Sequence, residues 1–261
     1  MNHYAILKWY QLSGINEVIG NLAIDRFFEF KQNQEKRSIV ISDTKKETPV
    51  KTQTNETNLS FVAKAQETAS NCTSLKDLYQ KLLNFDACSL KKTASNTFIG
   101  CGQEKNPTVF CVFDAPKAQA DKSGNLFDGQ TGELMKKMLG SIQLSDQNCF
   151  TAPLIPWRLP GDRKPTQTEE QTCLPFLKKQ IELTNPEFIL VFGSVATKAL
   201  LQIDSISKAR QQELSLTINN NTIPVITTFG PEMVSASQIS RKNAWEDLKK
   251  LAQLIQNKTL N

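Results

Sequence analysis

Few side chains in this sequence can carry acid–base or nucleophilic chemistry, and their positions narrow the choice. The single histidine, His3, stands at the third position, where fraying is expected. Ser/His/Asp triads, His–Cys nucleophile pairs and most zinc enzymes are therefore excluded. Six cysteines (Cys72, Cys88, Cys101, Cys111, Cys149 and Cys173) are irregularly spaced with no C-x-x-C pair, which makes a disulfide framework the weaker reading. No G-x-G-x-x-G or Walker sequence supports a nucleotide-binding site. Carboxylates and cations remain, among them Asp114 and Asp121 in one segment and Arg158, Arg163 and Lys164 in another, whose significance rests on the resemblance described below. Cations of this kind suit phosphate contacts; the alternative is ordinary solvated charge.

The elements that must position these residues follow from hydrophobic patterning. The chain has 261 residues, 39% of them hydrophobic, and a net charge of +5. That is enough to bury a core, and the charge is a hint of a polyanionic partner. No apolar run approaches the roughly 20 residues needed to span a bilayer. The N-terminus lacks a signal-peptide pattern, so a cytoplasmic, non-membrane protein is expected. Residues 1–30 carry apolar positions broken at Ser13-Gly14, which suggests two short helices. Residues 31–73 are polar, with Phe61 their single aromatic, and read as a mostly disordered linker. The folded domain is expected over 74–261.

Within it, Thr108–Phe113, Phe150–Ile155, Phe188–Phe192 and Ile223–Phe229 are compact apolar runs. Continuous hydrophobicity marks parallel strands covered on both faces. Helical stripes lie between them: Leu134, Met135, Met138, Leu139 and Ile142; then Cys173, Leu174, Leu177 and Ile181 behind a capping box at Thr166 and Glu169; and finally Ala244, Leu248, Leu251, Ala252 and Ile255. The alternation predicts an α/β fold, a three-layer α/β/α sandwich with a central, mainly parallel four-stranded sheet. Asn219-Asn220-Asn221 predicts one hairpin. Ligands of such sheets lie beyond the carboxyl ends of the strands. That rule selects the loops 114–132, 156–165, 193–197 and 230–240.

Taken in order, FDAPKAQADKSGNLFDG, IPWRLPGDR, FGS and FGPEMV resemble the loops of the uracil-DNA glycosylase superfamily, family 4 type, in its alphaproteobacterial branch. The resemblance covers roughly residues 1–30 and 74–257. It implies base flipping by a DNA-binding repair enzyme. Asp114 stands for the family's acidic residue that places the attacking water, with Asp121 for the acid that follows, while Phe113 and Lys117 replace the two glycines of GEAPG. Pro116 and Phe127 fall at base-binding positions. Phe127 is either the uracil-stacking ring or a loop anchor packed in the core. Arg158, Gly161, Arg163, Lys164, Ser194, Met233 and Arg241 match DNA-contacting positions, with Met233 either a wedge in the base stack or a packing residue. Two positions depart from the pattern in a way that removes recognition chemistry. Pro153 stands where an asparagine should read the uracil edge, and it has no donor to offer. Gly230 stands for the histidine that stabilises the departing base, and Glu232 beside it opposes an anion.

The resemblance also implies a four-iron four-sulfur cluster held by four cysteines. Cys88 and Cys173 match two ligands, whereas Phe85 and Trp157 occupy the other two places. Two thiols do not make a four-cysteine site, so no metal and no cofactor is expected. The function so implied is hydrolysis of the N-glycosidic bond of uracil or a related base in single-stranded or duplex DNA, weakened by these replacements. The alternative is a catalytically inactive DNA-binding or repair-scaffold member of the same superfamily. Residues 1–30 would be a partner-docking element or a helical cap on the domain.

Overall fold

The computed structural model describes residues 53–259. The helices expected in 1–30, and residues 31–52 of the expected linker, lie outside them. The described chain opens on α1 (Gln53–Ser70) and α2 (Leu75–Leu83). The reading of 31–73 as a mostly disordered linker is corrected over 53–70, which form the helix α1. Its Ala65 and Ala69, followed by Cys72, are buried at helical spacing against the first hydrophobic core. Average polarity concealed that stripe, because small residues add little hydrophobicity yet let two helices approach closely.

The sheet has six strands: β1 (Cys101–Gly102), β2 (Val109–Phe113), β3 (Cys149–Pro153), β4 (Phe188–Phe192), β5 (Leu214–Ile218) and β6 (Asn221–Thr228). Their order is β1-β3-β2-β4-β6-β5. The four central strands are parallel, as the continuous apolar runs require, and β1 and β5 add antiparallel edges. The expected four-stranded sheet is thus the centre of a wider mixed one. The β5–β6 hairpin turns on Asn219 and Asn220, with φ of 46° and 67°, the pair of positive values a type I′ turn demands.

Strand alternation builds two cores. Phe110, Val112, Phe150, Ala152, Ile189 and Val191 face one side, toward α1, α2, α5 (Gln167–Thr184) and α6 (Ser194–Leu201). Val109, Cys111, Cys149, Leu190, Phe192 and Ile226 face the other, toward α4 (Gln130–Gly140), α8 (Pro231–Ala236) and α9 (Gln238–Thr259). The short helices α3 (Ala118–Ser123) and α7 (Ile206–Ala209) complete the chain. The predicted capping box forms at the start of α5: Thr166 Oγ1 accepts from the Glu169 amide at 3.3 Å, and Glu169 Oε2 accepts from the Thr166 amide at 2.7 Å. Among the described residues no helix is long and apolar enough to cross a membrane.

Candidate active site and nucleic-acid face

From β2 the chain crosses to β3 on one side, and from β3 it returns to β4 on the other. The two crossovers leave in opposite directions, which opens a crevice at the carboxyl ends of β2 and β4. Asp114 is the first residue past β2 and sits in that crevice. Its Oδ1 accepts from the Ala196 amide, in the first turn of α6, at 3.0 Å. Its backbone carbonyl accepts from Ile155 at 3.0 Å, so the loop cannot swing away.

Glycine is required opposite. Gly193 has φ of +91°, and a Cβ there would lie 3.1 Å from both Asp114 carboxylate oxygens. Burial pushes the Asp114 carboxyl up to about 6 from its ordinary 3.8; the Ala196 amide and Lys117 pull it down, while Glu232 and Glu170 add to the rise. A half-buried carboxylate that still ionises near neutral pH, fixed by one backbone donor, can hold a water or receive its proton.

The two charged replacements found in the sequence meet across the mouth of the crevice. Lys117, after the first loop's proline, pairs with Glu232 in the first turn of α8 at 2.5 Å. Neither the separation of 115 positions nor any motif signals this contact; it follows from β2 and β6 ending on the same edge. Beside the pair lies a cavity of about 30 Å³ bordered by Phe113, Pro116, Lys117, Leu126, Met135 and Pro231. That is room for a water or two and not for a pyrimidine.

Gly230 is extended (φ −66°, ψ 157°), and a Cβ on it would meet only the Gly193 backbone, at 3.7 Å or more. The backbone there suits any residue, and a Cβ would make only ordinary van der Waals contact. Pro153 ends β3, paired with Phe113 in the parallel register, and is buried.

The remaining expected residues divide. Pro116 borders the small cavity beside the Lys117–Glu232 pair. Phe127 is half-buried and its side chain packs on the second core, the loop-anchor arrangement. Gly132 permits it, since a Cβ there would lie 2.5 Å from the Phe127 backbone. Asp121 is not brought to the crevice. It is 4% exposed, and its carboxylate accepts from the Ser95 and Asn96 amides at 2.9–3.1 Å, so it braces the loop before β1.

Arg158, Gly161, Arg163 and Lys164 form one partly exposed loop at the sheet's carboxyl edge, and Ser194 opens α6 nearby. The arginines are not bare: Arg158 pairs with Asp162 at 3.1 Å and Arg163 with Glu169 at 2.6 Å. The Arg158–Asp162 pair is solvent-facing and worth about 0–1 kcal/mol, so a phosphate can replace its carboxylate at little cost; Arg163 instead grips a largely buried Glu169 through two nitrogens, at 2.9 and 2.6 Å. The i,i+4 spacing signals the first pair in the sequence; the capping-box role of Glu169 conceals the second. Met233 is exposed on α8, and Arg241 on α9 donates to the Val234 and Ser235 carbonyls at 3.4 Å.

The four positions matching a cluster's ligands do come together, in the first core, but not as a ligand set. Phe85 packs edge-on against Phe176, with ring centroids 5.0 Å apart. Trp157 is fully buried and its Nε1 donates to Thr97 Oγ1 at 3.0 Å. Cys88 and Cys173 share a hydrogen bond: burial and that contact push the Cys173 thiol up, while the same contact pulls Cys88 down. Among the described residues no group of three or more His, Cys, Asp or Glu is placed to hold a metal ion. Two thiols and two aromatic rings do not fit a four-iron four-sulfur cluster.

The parallel order of the central strands, the crevice at their switch point and the four loops around it are those of a glycosylase-type α/β domain. Comparison with known proteins agrees. The chain belongs to the Uracil DNA glycosylase superfamily, whose model matches residues 99–249. It is similar to the type-4 uracil-DNA glycosylase of Archaeoglobus fulgidus, 29% identical over 190 residues that cover 71% of this chain and 95% of the relative. Similar type-4 enzymes occur in Pyrobaculum aerophilum, 32% identical over 49% of this chain and 65% of the relative, and in Thermotoga maritima, 29% identical over 65% and 88%.

Proposed function

We propose that this protein is a uracil-DNA glycosylase of base excision repair that hydrolyses the N-glycosidic bond of uracil slowly, in single-stranded or duplex DNA, without the family's cluster. The observation that carries the reading is Asp114, held at the switch point by the Ala196 amide and ionised above about pH 6. In this reading the basic loop around Arg158 and Arg163 holds the strand, and the Asp114 carboxylate orients water against the developing sugar cation. No side chain at Pro153 or Gly230 can donate to the base, so bond cleavage lacks one preformed stabilising donor. Such a loss costs on the order of a hundredfold in rate. Dense aromatic packing at Phe85 and Trp157 supports the absence of a cluster.

The cavity of about 30 Å³ beside the Lys117–Glu232 pair favours a second reading, a member that binds DNA without excising a base. Single-turnover uracil release from single-stranded and U:G oligonucleotides, with protein in excess, separates the two. Release abolished by Asp114→Asn supports the enzyme. No release, with salt-sensitive DNA binding intact, supports the binding protein.

A further inference from the structure

The large hydrophobic side chains that stay exposed among the described residues are Met233, Ile239 and Trp245, at 52%, 74% and 46%. All three lie within the thirteen residues 233–245, which begin inside the fourth loop and run over α8 and the start of α9. Around Trp245 the helix sets Arg241 four residues before, Lys242 three before and Lys249 four after, all exposed. Positions at these offsets are surface neighbours, so the indole is ringed by cations. Among the described residues Lys242 and Lys249 have no carboxylate partner, unlike Lys117, Arg158 and Arg163 on the neighbouring loops. Glu246 is the one acidic side chain beside them. Trp245 sits seven residues into α9, about 10 Å from its start, and Arg241 ties that start back to α8 beside the crevice.

An aromatic ring between unpaired cations is the arrangement that binds unpaired nucleic acid, since every base has a face to stack and every linkage a charge to neutralise. A protein partner would sooner meet an apolar patch depleted of lysine. We propose that the Trp245 face of α9 is a docking strip for the single-stranded DNA beside the target nucleotide, with a base stacked on the indole and its phosphates on Lys242 and Lys249. The inference rests on the DNA-binding half of the function proposed above.

The test uses the full chain, titrated at low salt with oligothymidylate and, separately, a U:G duplex, reading anisotropy and intrinsic fluorescence. The fluorescence arm is run in a Trp9→Phe background; Trp157 is buried, so stacking at Trp245 appears as quenching that is lost when Trp245→Phe is added. Trp245→Ala is expected to bind the single strand about tenfold more weakly, with Trp245→Phe within about twofold of wild type. Lys242→Gln with Lys249→Gln should flatten the plot of log affinity against log salt by about 1.4. Unchanged single-strand affinity and salt slope in these variants would overturn the strip while leaving DNA binding by the other loops standing. No salt-sensitive binding by the wild type would overturn both. These residues are exposed, so folding is not at issue, and circular dichroism confirms it.

Discussion

Replacing Asp114 by Asn should make the protein more stable and end its chemistry. The carboxylate ionises at about 6 in the folded chain against an ordinary 3.8. At 1.36 kcal/mol per pH unit, that difference is a cost of up to about 3 kcal/mol for holding the charge in the crevice. The sign is that of an acid whose folded value is raised. The penalty is complete above pH 6, shrinks as pH falls through 6, and is gone below 3.8, where folded and unfolded chains are both protonated. Asn keeps the acceptor for the Ala196 amide and the same volume, so the geometry beside Gly193 survives. Urea denaturation of both proteins at pH 7.5 and pH 4 measures the effect. The variant should be more stable by about 2–3 kcal/mol at pH 7.5 and by less than about 1 kcal/mol at pH 4. A variant less stable than wild type at pH 7.5, or a difference that ignores pH, would refute the account of Asp114 as a charge held at a cost for use.

Any uracil release by the wild type should fall about tenfold per pH unit below pH 6, as the Asp114 carboxylate takes up its proton; a profile flat from pH 5 to 8 speaks against that role. Gly230→His places an imidazole on a backbone that suits any residue and a Cβ that meets only ordinary contacts, and single-turnover release should rise on the order of a hundredfold if a missing donor limits the rate. Gly193→Ala forces a Cβ onto the Asp114 carboxylate at positive φ and should cost roughly 1–3 kcal/mol in thermal denaturation. Ala65→Asp buries an unpaired charge between α1 and the first core, so it should destabilise by about 3 kcal/mol or more; a neutral result would mean that α1 does not belong to the folded domain.

The apolar runs of β2, β3, β4 and β6, the helical stripes and the capping box at Thr166 were legible because each is a local pattern with a fixed period. The hairpin was legible because Asn tolerates positive φ. The helix α1 was not, since composition averages over a stripe only a few small residues wide. At the site the sequence by itself determined which chemistry was left: two carboxylates, Asp114 and Asp121, after β2, arginines after β3, no histidine after β6, and two cysteines where a cluster needs four. Only the tertiary structure decided how those residues are used. It gave Asp114 a backbone donor from a helix 82 positions away, turned Asp121 inward to brace a loop, seated Phe127 on the core, and joined Lys117 to Glu232. Each of these depends on which strands end side by side, and strand order is set by long-range packing that no local period encodes.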